Sequence, residues 1–269
     1  MKVSRTIADV RAALAASRPS GEVGFVPTMG ALHAGHLSLF AAAREECDLV
    51  VASIFVNPAQ FDPQEDLDRY PHDPQSDERR AREAGVDHLF VPSVDEIYPE
   101  GFQTWVEVEE IAKGLEGAAR PGHFRGVATV CLKLFNVVQP SRVYFGQKDA
   151  QQAAVIEQMI RDLAVPAELR VVPTVRDGDG LALSSRNAYL SEAEREAAGA
   201  IPGALHAAEE AHRAGGDAVA AARAAIAREP RLDPEYVELA RFDGRLFLVV
   251  AARVGSTRLI DNVVLEGET

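Results

Sequence analysis

The chain has 269 residues, of which 47% are apolar, and it carries a formal net charge of −13. This composition allows a substantial buried core, and the acidic surplus argues against nucleic acid as the main partner. The sequence contains no run of about 18 uncharged apolar residues and no apolar signal core, so neither a membrane span nor secretion is expected. Its two cysteines, Cys47 and Cys131, are far apart in the sequence, which argues against a disulfide framework and predicts a cytoplasmic protein.

Strand and helix patterns alternate along the first 175 residues. Predicted strands lie at residues 22–27, 48–55, 88–91, 142–145 and 168–172. Predicted helices lie at residues 35–47, 73–84, 124–138 and 149–163. The strand DLVVASIF contains a continuous apolar run, as expected for a strand covered on both faces. The repeated strand-then-helix order predicts an α/β fold, with a parallel sheet and helices on both of its faces.

The composition changes after the turn-rich segment RDGDG, residues 176–180. Helices rich in Ala, Glu and Arg are predicted at 191–214 and 217–228, and strands are predicted at 236–240, 246–252 and 257–264. This pattern indicates a small α+β domain. The predicted domains are therefore residues 1–175 and 176–269.

The first segment with chemical potential is PTMGALHAGH, residues 27–36, which leaves a predicted strand and enters a predicted helix. Ligands bind at such junctions, and the free N–H groups of a helix start suit phosphate. His33 and His36 are three residues apart, so they project to the same side of the helix. Two alternatives remain open: surface histidines at a helix cap, and a metal site. The zinc-protease pattern requires a Glu that is absent here.

A second strand-to-helix junction, YFGQKD at residues 144–149, places Lys148 near the same predicted sheet edge. Its compact ammonium group could reach a phosphate. The alternative is a solvated lysine at a strand end. Gln152 lies one helical turn later and can face the same cleft.

The segment GLALSSRN, residues 180–187, combines two hydroxyl groups with a guanidinium group. Such a donor-rich loop suits a triphosphate. The alternative is a helix-capping loop, although Ser191 is the better cap for the helix that follows.

Two further segments offer polar groups in predicted loops. FVNPAQF, residues 55–61, places Asn57 and Gln60 after the second buried strand, although Asn-Pro is also an ordinary turn signal. LEGAARPGHFRG, residues 115–126, contains Arg120, His123 and Arg125. Cationic groups in a loop of an acidic protein suggest anion binding, and the alternative is a solvated loop.

The ordered set PTMGALHAGH, FVNPAQF, RPGHFRG, VYFGQKD and LSSRN, with the closing TRLIDN at residues 257–262, resembles the pantothenate synthetases. The resemblance runs from about Thr6 to Val263, nearly the whole chain. The HxGH element alone indicates only the wider nucleotidylyltransferase superfamily, whereas the complete ordered set is far more specific.

The resemblance implies a Rossmann-like domain and a smaller domain that closes over the site as a lid. It also implies a homodimer that uses ATP with Mg²⁺ to condense pantoate with β-alanine, with no nucleic-acid or membrane partner. In this reaction the pantoate carboxylate attacks the α-phosphorus and pyrophosphate leaves. The amine of β-alanine then attacks the pantoyl-adenylate and AMP departs.

Residue roles are carried over by position. The implied ATP site comprises Met29, His33, His36, Gly146, Gln147, Lys148, Asp149, Val175, Leu183, Ser184, Ser185 and Arg186. Those expected to act in catalysis are His33, Lys148, Ser184, Ser185, Arg186 and His36, the last as proton donor. Pantoate and β-alanine are assigned to Gln60, Gln152, Asn57, Tyr70, Arg120 and His123, and the magnesium ligand to Asp77. Leu183 departs from the family, which commonly has Met there, but the change conserves volume.

Three other functions remain as alternatives. Another adenylyl- or cytidylyltransferase would stop at the nucleotidyl product, and Gln60 and Gln152 argue against it. A nucleotide sensor would bind ATP without releasing pyrophosphate. A histidine-ligated metal protein would retain stoichiometric zinc.

Overall fold

A computed structural model of the chain describes residues 1–17, 21–61, 67 and 70–266. The chain divides into two compact units, the first comprising Met1–Gly146 and Gln151–Val172, the second Gln147–Ala150 and Pro173–Thr269. This division differs from the predicted single cut after residue 175, because the second unit begins at Pro173 and also includes residues 147–150. None of the helices in the described residues has the length and apolar character needed to cross a membrane.

The first unit is built on a six-stranded sheet. Its strands are β1 (Lys2–Ser4), β2 (Val23–Thr28), β3 (Leu49–Ile54), β4 (His88–Phe90), β5 (Arg142–Gly146) and β6 (Glu168–Val172). Their order is β1-β4-β3-β2-β5-β6, and every neighbouring pair is parallel. The predicted parallel α/β fold is confirmed. Strand β1 was not predicted, because three residues with one buried side chain give almost no pattern.

Helices cover both faces of this sheet. They are α1 (Ile7–Ser17), α2 (Ala34–Glu46), α3 (Pro74–Glu83), α4 (Val94–Ile97), α5 (Glu116–Ala119), α6 (His123–Val138) and α7 (Ala150–Asp162). Consecutive residues of β2 enter different apolar clusters: Phe25 packs with Phe135 of α6, whereas Val26 packs with Phe40 of α2. Because successive strand residues point to opposite faces, β2 is buried on both sides.

The strand order places a topological switch point between β2 and β5. The chain proceeds from β2 to β3 on one side, and β5 later joins β2 on the other side. In open parallel sheets, ligands bind beyond the carboxyl ends of the strands at such a point. Thr28 pairs with Ile54, so β2 and β3 end level with each other. The segments after β2, β3 and β5 therefore leave one edge of the sheet.

In the described residues, the second unit combines three α-helices with a three-stranded antiparallel sheet. The helices are α8 (Glu192–Ala198), α9 (Ala200–Arg213) and α10 (Ala218–Ile226), and the strands, in sheet order, are β7 (Leu232–Phe242), β8 (Arg245–Val254) and β9 (Thr257–Glu266). Ile201 and Leu205 of α9 pack with Val250 of β8 in one apolar cluster. The predicted α+β character of this region is confirmed.

The prediction of one helix over residues 191–214 is wrong. The structure has two helices, α8 and α9, separated at Gly199. Pro202 lies in the first turn of α9, where its missing N–H costs no helical hydrogen bond. The alanine-rich spacing is compatible with helix on both sides of the break, so periodicity alone did not reveal it.

Candidate active site

His33 and His36 are built into the start of α2. His33 is the N-cap residue, and its Nδ1 accepts a hydrogen bond from the backbone N–H of Gly35 at 3.2 Å. The Nδ1 of His36 accepts from the backbone N–H of His33 at 3.3 Å. This is a capping box in which two imidazoles replace the usual hydroxyl and carboxyl groups. The ring centroids consequently lie 4.1 Å apart.

In the neutral form of each ring, these two bonds determine which nitrogen carries the proton. A ring nitrogen that accepts a hydrogen bond has no proton, so in both residues Nε2 is the N–H donor. Two imidazole donors and the positive end of the α2 dipole thus occur together. This combination can stabilise negative charge on a phosphate or an oxyanion.

The loop before His33 is held by Asp77 of α3. The Asp77 side chain is buried, and its two oxygens accept hydrogen bonds from the backbone N–H groups of Ala31 at 2.9 Å and Leu32 at 2.7 Å. Gly30 has a φ of +86°, and a Cβ there would lie 2.8 Å from the Asp77 carboxylate. Glycine is required both by the backbone conformation and by this close approach.

The contacts of Asp77 support a role in shaping this loop. Both carboxylate oxygens are already bound to backbone N–H groups. Within the described residues, no group of three or more His, Cys, Asp or Glu side chains is arranged to hold a metal ion. The magnesium role of Asp77 stays a prediction.

Asn57 and Gln60 belong to a chain of hydrogen bonds that begins at Tyr98. The Tyr98 hydroxyl donates to Asn57 Oδ1 at 2.8 Å, and Asn57 Nδ2 donates to Gln60 Oε1 at 3.0 Å and to the Gly126 carbonyl at 3.2 Å. Burial raises the pKa of Tyr98, so the phenol keeps its proton. Gln60 Nε2 lies 3.2 Å from Met29 Sδ. The amide of Gln60 therefore has a fixed orientation, with its NH₂ group toward Met29.

His123 connects Arg120 to the turn that carries Gln60. Arginine has only donors, so Arg120 Nη1 donates to His123 Nε2 at 3.1 Å. The remaining nitrogen, Nδ1, donates to the backbone oxygen of Gln60 at 2.9 Å. A Cβ on Gly126 would lie only 2.3 Å from the Ala59 carbonyl oxygen. The RPGHFRG motif therefore packs directly on this turn.

Two adjacent glutamines of α7 have different surroundings. Gln151 is buried and donates to the carbonyl oxygens of Ile111 at 2.7 Å and Gly114 at 2.8 Å, while it accepts from the N–H of Glu116 at 2.9 Å. Its amide is thus committed to the fold. Gln152 is only half-buried, which supports its assignment as the substrate-binding member of the pair.

Tyr70 lies near the same turn as Gln60. Its ring is half-buried and meets Phe61 edge-on, with the centroids 6.0 Å apart. Phe61 directly follows Gln60, so this contact connects the predicted substrate residue Tyr70 with the segment after β3.

Lys148 lies in a short 3₁₀ turn, Gln147–Asp149, which follows Gly146 at the end of β5. The Lys148 side chain is 17% exposed, and its Nζ is 3.5 Å from Asp149 Oδ1. The buried side chain of Asn262 in β9 donates to the carbonyl oxygens of Gln147 and Lys148, both at 2.9 Å. These bonds explain why the turn groups with the second unit.

The serine-rich loop, residues 180–187, is held in place by hydrogen bonds from its backbone N–H groups. The N–H of Leu183 donates to the Val175 carbonyl at 3.0 Å. Ser184 caps the 3₁₀ helix Ser185–Tyr189, with its Oγ accepting from the N–H of Arg186 at 3.2 Å. Because Ser184 accepts in this bond, its hydroxyl proton can still be donated.

The predicted residues therefore fall into two sets. The first unit contains Met29, His33, His36, Asn57, Gln60, Tyr70, Asp77, Arg120, His123, Gly146 and Gln152. The second contains Gln147, Lys148, Asp149, Val175, Leu183, Ser184, Ser185 and Arg186. The sequence did not predict Tyr98, Gln151 and Asn262, whose side chains form hydrogen bonds that hold the predicted residues or the segments around them. Only Asn262 lay in a recognised motif, TRLIDN.

The sequence model of the pantoate-beta-alanine ligase family matches residues 2–264. The chain belongs to this family. It is 52% identical to the pantothenate synthetase of Moorella thermoacetica, with 99% of each chain covered. It is 53% identical to that of Chloroflexus aurantiacus, with 100% of this chain and 99% of the other covered.

Solved structures of the pantoate–β-alanine ligase family have the same fold. Pantothenate synthetase from Thermus thermophilus matches with a TM-score of 0.95 and 48% identity, covering 99% of this chain and 100% of that one. The pantoate-beta-alanine ligase of Francisella tularensis, complexed with beta-gamma ATP and beta-alanine, matches with a TM-score of 0.85 and 36% identity, covering 100% and 99%. The resemblance is confirmed: the chain is an ATP-using ligase of this family, and the nucleotidylyltransferase alternative is not favoured.

Proposed function

We propose that this chain condenses pantoate with β-alanine through an enzyme-bound pantoyl-adenylate. Membership of the pantoate–β-alanine ligase family supports the overall reaction. The observation that carries the residue-level proposal is the capping box of His33 and His36, which presents two Nε2–H donors at a helix start. That arrangement suits a reaction in which negative charge moves along a phosphate chain.

In the first step, a pantoate carboxylate oxygen forms a bond to the α-phosphorus of ATP. The bond from that phosphorus to the bridging oxygen breaks, and pyrophosphate leaves with the electron pair. His33, His36 and Lys148 stabilise the growing charge as hydrogen-bond donors. Ser184, Ser185 and Arg186 bind the leaving phosphates with their hydroxyl and guanidinium groups. Met29, Gly146, Gln147, Asp149, Val175 and Leu183 complete the ATP site.

Pantoate is held by neutral amides. The fixed NH₂ group of Gln60 can donate to its hydroxyl or carboxylate oxygens without adding charge. Gln152 contributes a second amide. Asn57, Tyr70, Arg120 and His123 complete the proposed pantoate and β-alanine site. Arg120, which lies 4.0 Å from the Glu116 carboxylate, supplies guanidinium donors that suit a second carboxylate.

In the second step, the β-alanine amine attacks the activated carbonyl carbon. The bond from that carbon to the adenylate oxygen breaks, AMP departs with the oxygen, and the proton lost by the amine passes to solvent. No nucleophilic side chain is needed, because the adenylate is itself activated. His36 Nε2–H donates a hydrogen bond to the departing phosphate oxygen. Catalysis therefore consists mainly of positioning and charge stabilisation.

ATP is proposed to enter as its Mg²⁺ complex. Mg²⁺ usually keeps water and substrate phosphates as ligands and needs few from the protein, which agrees with the engaged carboxylate of Asp77. A homodimer in the cytoplasm is proposed on the family resemblance, with the second unit as a lid. Both cysteines are free and buried, as suits a reducing compartment.

The proposal is tested by measuring pyrophosphate and AMP separately. With ATP and pantoate alone, we expect one equivalent of pyrophosphate per site, whereas AMP turnover requires β-alanine. Equal AMP formation without pantoate would exclude the assignment. Continued turnover without an amine would favour a nucleotidylyltransferase. ATP binding without pyrophosphate release would favour a nucleotide sensor. Stoichiometric zinc in the purified protein would favour a histidine-ligated metal protein.

A further inference from the structure

The TRLIDN motif ends in two buried polar residues to which the proposed reaction gives no role. Asp261 and Asn262 lie in β9 and are each 3% exposed. Neighbouring residues of a strand point to opposite faces, so their side chains reach different partners. Both sets of partners belong to segments of the second unit that are proposed to bind the phosphates of ATP. These are the turn that carries Lys148 and the base of the loop of residues 180–187.

The carboxamide of Asn262 uses both of its N–H bonds on the turn that carries Lys148. It donates to the carbonyl oxygens of Gln147 and Lys148, each at 2.9 Å. Two carbonyl oxygens aimed at one buried point require a donor. An aspartate in place of Asn262 would have nearly the same shape but would set a carboxylate against both oxygens, which is unfavourable in a buried position.

The carboxylate of Asp261 holds the base of the serine-rich loop. It binds Arg176 in a two-pronged ion pair, Nη1 to Oδ2 at 2.6 Å and Nη2 to Oδ1 at 3.1 Å. Arg176 also donates to the Gly180 carbonyl at 3.0 Å and forms a backbone bridge with Ala182. Leu183 directly follows Ala182, so the ion pair fixes the point from which residues 183–186 start.

We propose that Asp261 and Asn262 are positioning residues for adenylation: Asn262 orients the Lys148 turn, and Asp261 anchors the loop of residues 183–186. Two neighbouring residues of β9 thereby position both segments that are proposed to bind phosphate. This inference rests on the proposed ATP role of Lys148 and of residues 184–186. A residue that only stabilised the fold would change the amount of folded enzyme and not the balance between the two half-reactions.

The test measures both half-reactions in single turnover, per folded enzyme. Adenylation is followed from ATP and pantoate, and amide formation from preformed pantoyl-adenylate and β-alanine. N262A should slow adenylation by about tenfold, the scale of a lost hydrogen-bond arrangement around a charged group, and N262D should slow it more. Amide formation should stay within about twofold, because pyrophosphate has already left. N136D makes the same charge change at an exposed asparagine of α6 and should leave both rates unchanged.

A double-mutant cycle identifies the residue through which Asn262 acts. If Asn262 orients Lys148, then N262A should have little further effect on adenylation in a K148A background. The cycle of D261N with R186A should show the same non-additivity for the loop. Additive effects, equal losses in both half-reactions, or an N262A variant that does not fold would each overturn the inference.

The outcomes for Lys148 separate this inference from the proposed function. If K148A leaves adenylation near the wild-type rate, the proposed ATP role of Lys148 fails, and the inference fails with it. If K148A is strongly impaired while N262A and N262D are not, only the positioning role of Asn262 is wrong.

Discussion

The Tyr98 hydroxyl donates a 2.8 Å hydrogen bond to Asn57 Oδ1, which also accepts from the N–H of Ala59 at 3.3 Å. Together these contacts favour one orientation of the Asn57 amide. With its oxygen occupied, Asn57 turns its NH₂ group to Gln60 Oε1 at 3.0 Å. Gln60 is left to present its own NH₂ group. A residue with no proposed substrate contact thus orients one that is proposed to bind pantoate.

Replacing Tyr98 by Phe should therefore weaken pantoate binding selectively. The variant keeps the ring but removes the donor, so Asn57 Oδ1 keeps only the longer bond from the N–H of Ala59 and holds the Gln60 amide less firmly. We expect the KM for pantoate to rise by about three- to tenfold, the scale of one lost hydrogen bond, while the KM for ATP stays unchanged. Y144F removes another buried hydroxyl, which bonds to Glu46, and should not alter the pantoate KM. Equal rises for both substrates would contradict the orienting role of Tyr98.

Asp77→Asn distinguishes the structural role of Asp77 from a metal role. The amide has one acceptor oxygen where the carboxylate offers two to Ala31 and Leu32, so the loop before His33 should loosen. We expect adenylation to slow by about tenfold, with the Mg²⁺ concentration for half-maximal rate unchanged. A large rise in that concentration would instead support Asp77 as a magnesium ligand. D73N alters another carboxylate of α3, its N-cap, and serves as the control.

Local sequence patterns predicted the secondary structure and the family motifs, but they did not predict the side-chain contacts that depend on tertiary packing. Alternation of strands and helices identified the parallel sheet, and the ordered motifs identified the family. The bonds from Tyr98 to Asn57 and from Asn262 to Lys148 span 41 and 114 residues, and no local pattern determines which distant side chains meet. The helix break at Gly199 was missed for a different reason, because alanine fits a helix on either side of it.

His33→Asn separates helix capping from catalysis. Asparagine is a strong N-cap residue, so it can replace the Nδ1 contact of His33 with the N–H of Gly35. It cannot supply a donor at the position of Nε2. We expect adenylation to fall by about 10²–10³, the scale of losing one preorganised donor, while the melting temperature stays within about 2 °C. H33A should lose both the helix cap and the Nε2 donor, so its melting temperature and its adenylation rate should both fall. Full activity in H33N would reduce His33 to a structural cap.

Acidification should destabilise the first unit through His88 in β4. Burial lowers the pKa of His88, and the positive charge of Lys2 lowers it further. The unfolded chain therefore binds a proton first as the pH falls. The contribution to stability is fully present above about pH 6.5, the ordinary histidine value, and is lost as the pH falls toward the folded-state pKa.

This pH dependence is measured by urea unfolding between about pH 7.5 and 5. H88Q should flatten the decline in unfolding free energy over that interval. H206Q changes a histidine whose side chain is 65% exposed and should keep the wild-type slope. An unchanged slope in H88Q would show that other groups cause the decline.

Lys148→Ala should impair the first half-reaction more than the second. A neutral imidazole can donate a hydrogen bond but supplies no full positive charge, so the proposed departure of pyrophosphate needs a cation besides His33 and His36. Lys148 supplies a compact ammonium group on a turn fixed by two bonds from Asn262. K148R should rescue poorly, because the guanidinium is bulkier and its donors are splayed.

The comparison of half-reactions in single turnover decides the role of Lys148. In K148A, adenylation from ATP and pantoate should fall by at least about 10², the loss expected when one preorganised charge is removed. Amide formation from preformed pantoyl-adenylate and β-alanine should fall much less, since pyrophosphate is by then absent. K113A removes a lysine that is 64% exposed and paired with Glu110, and it should leave both rates unchanged. If K148A adenylates at close to the wild-type rate, Lys148 is not a phosphate ligand, and the assignment of residues 144–149 to the ATP site is wrong.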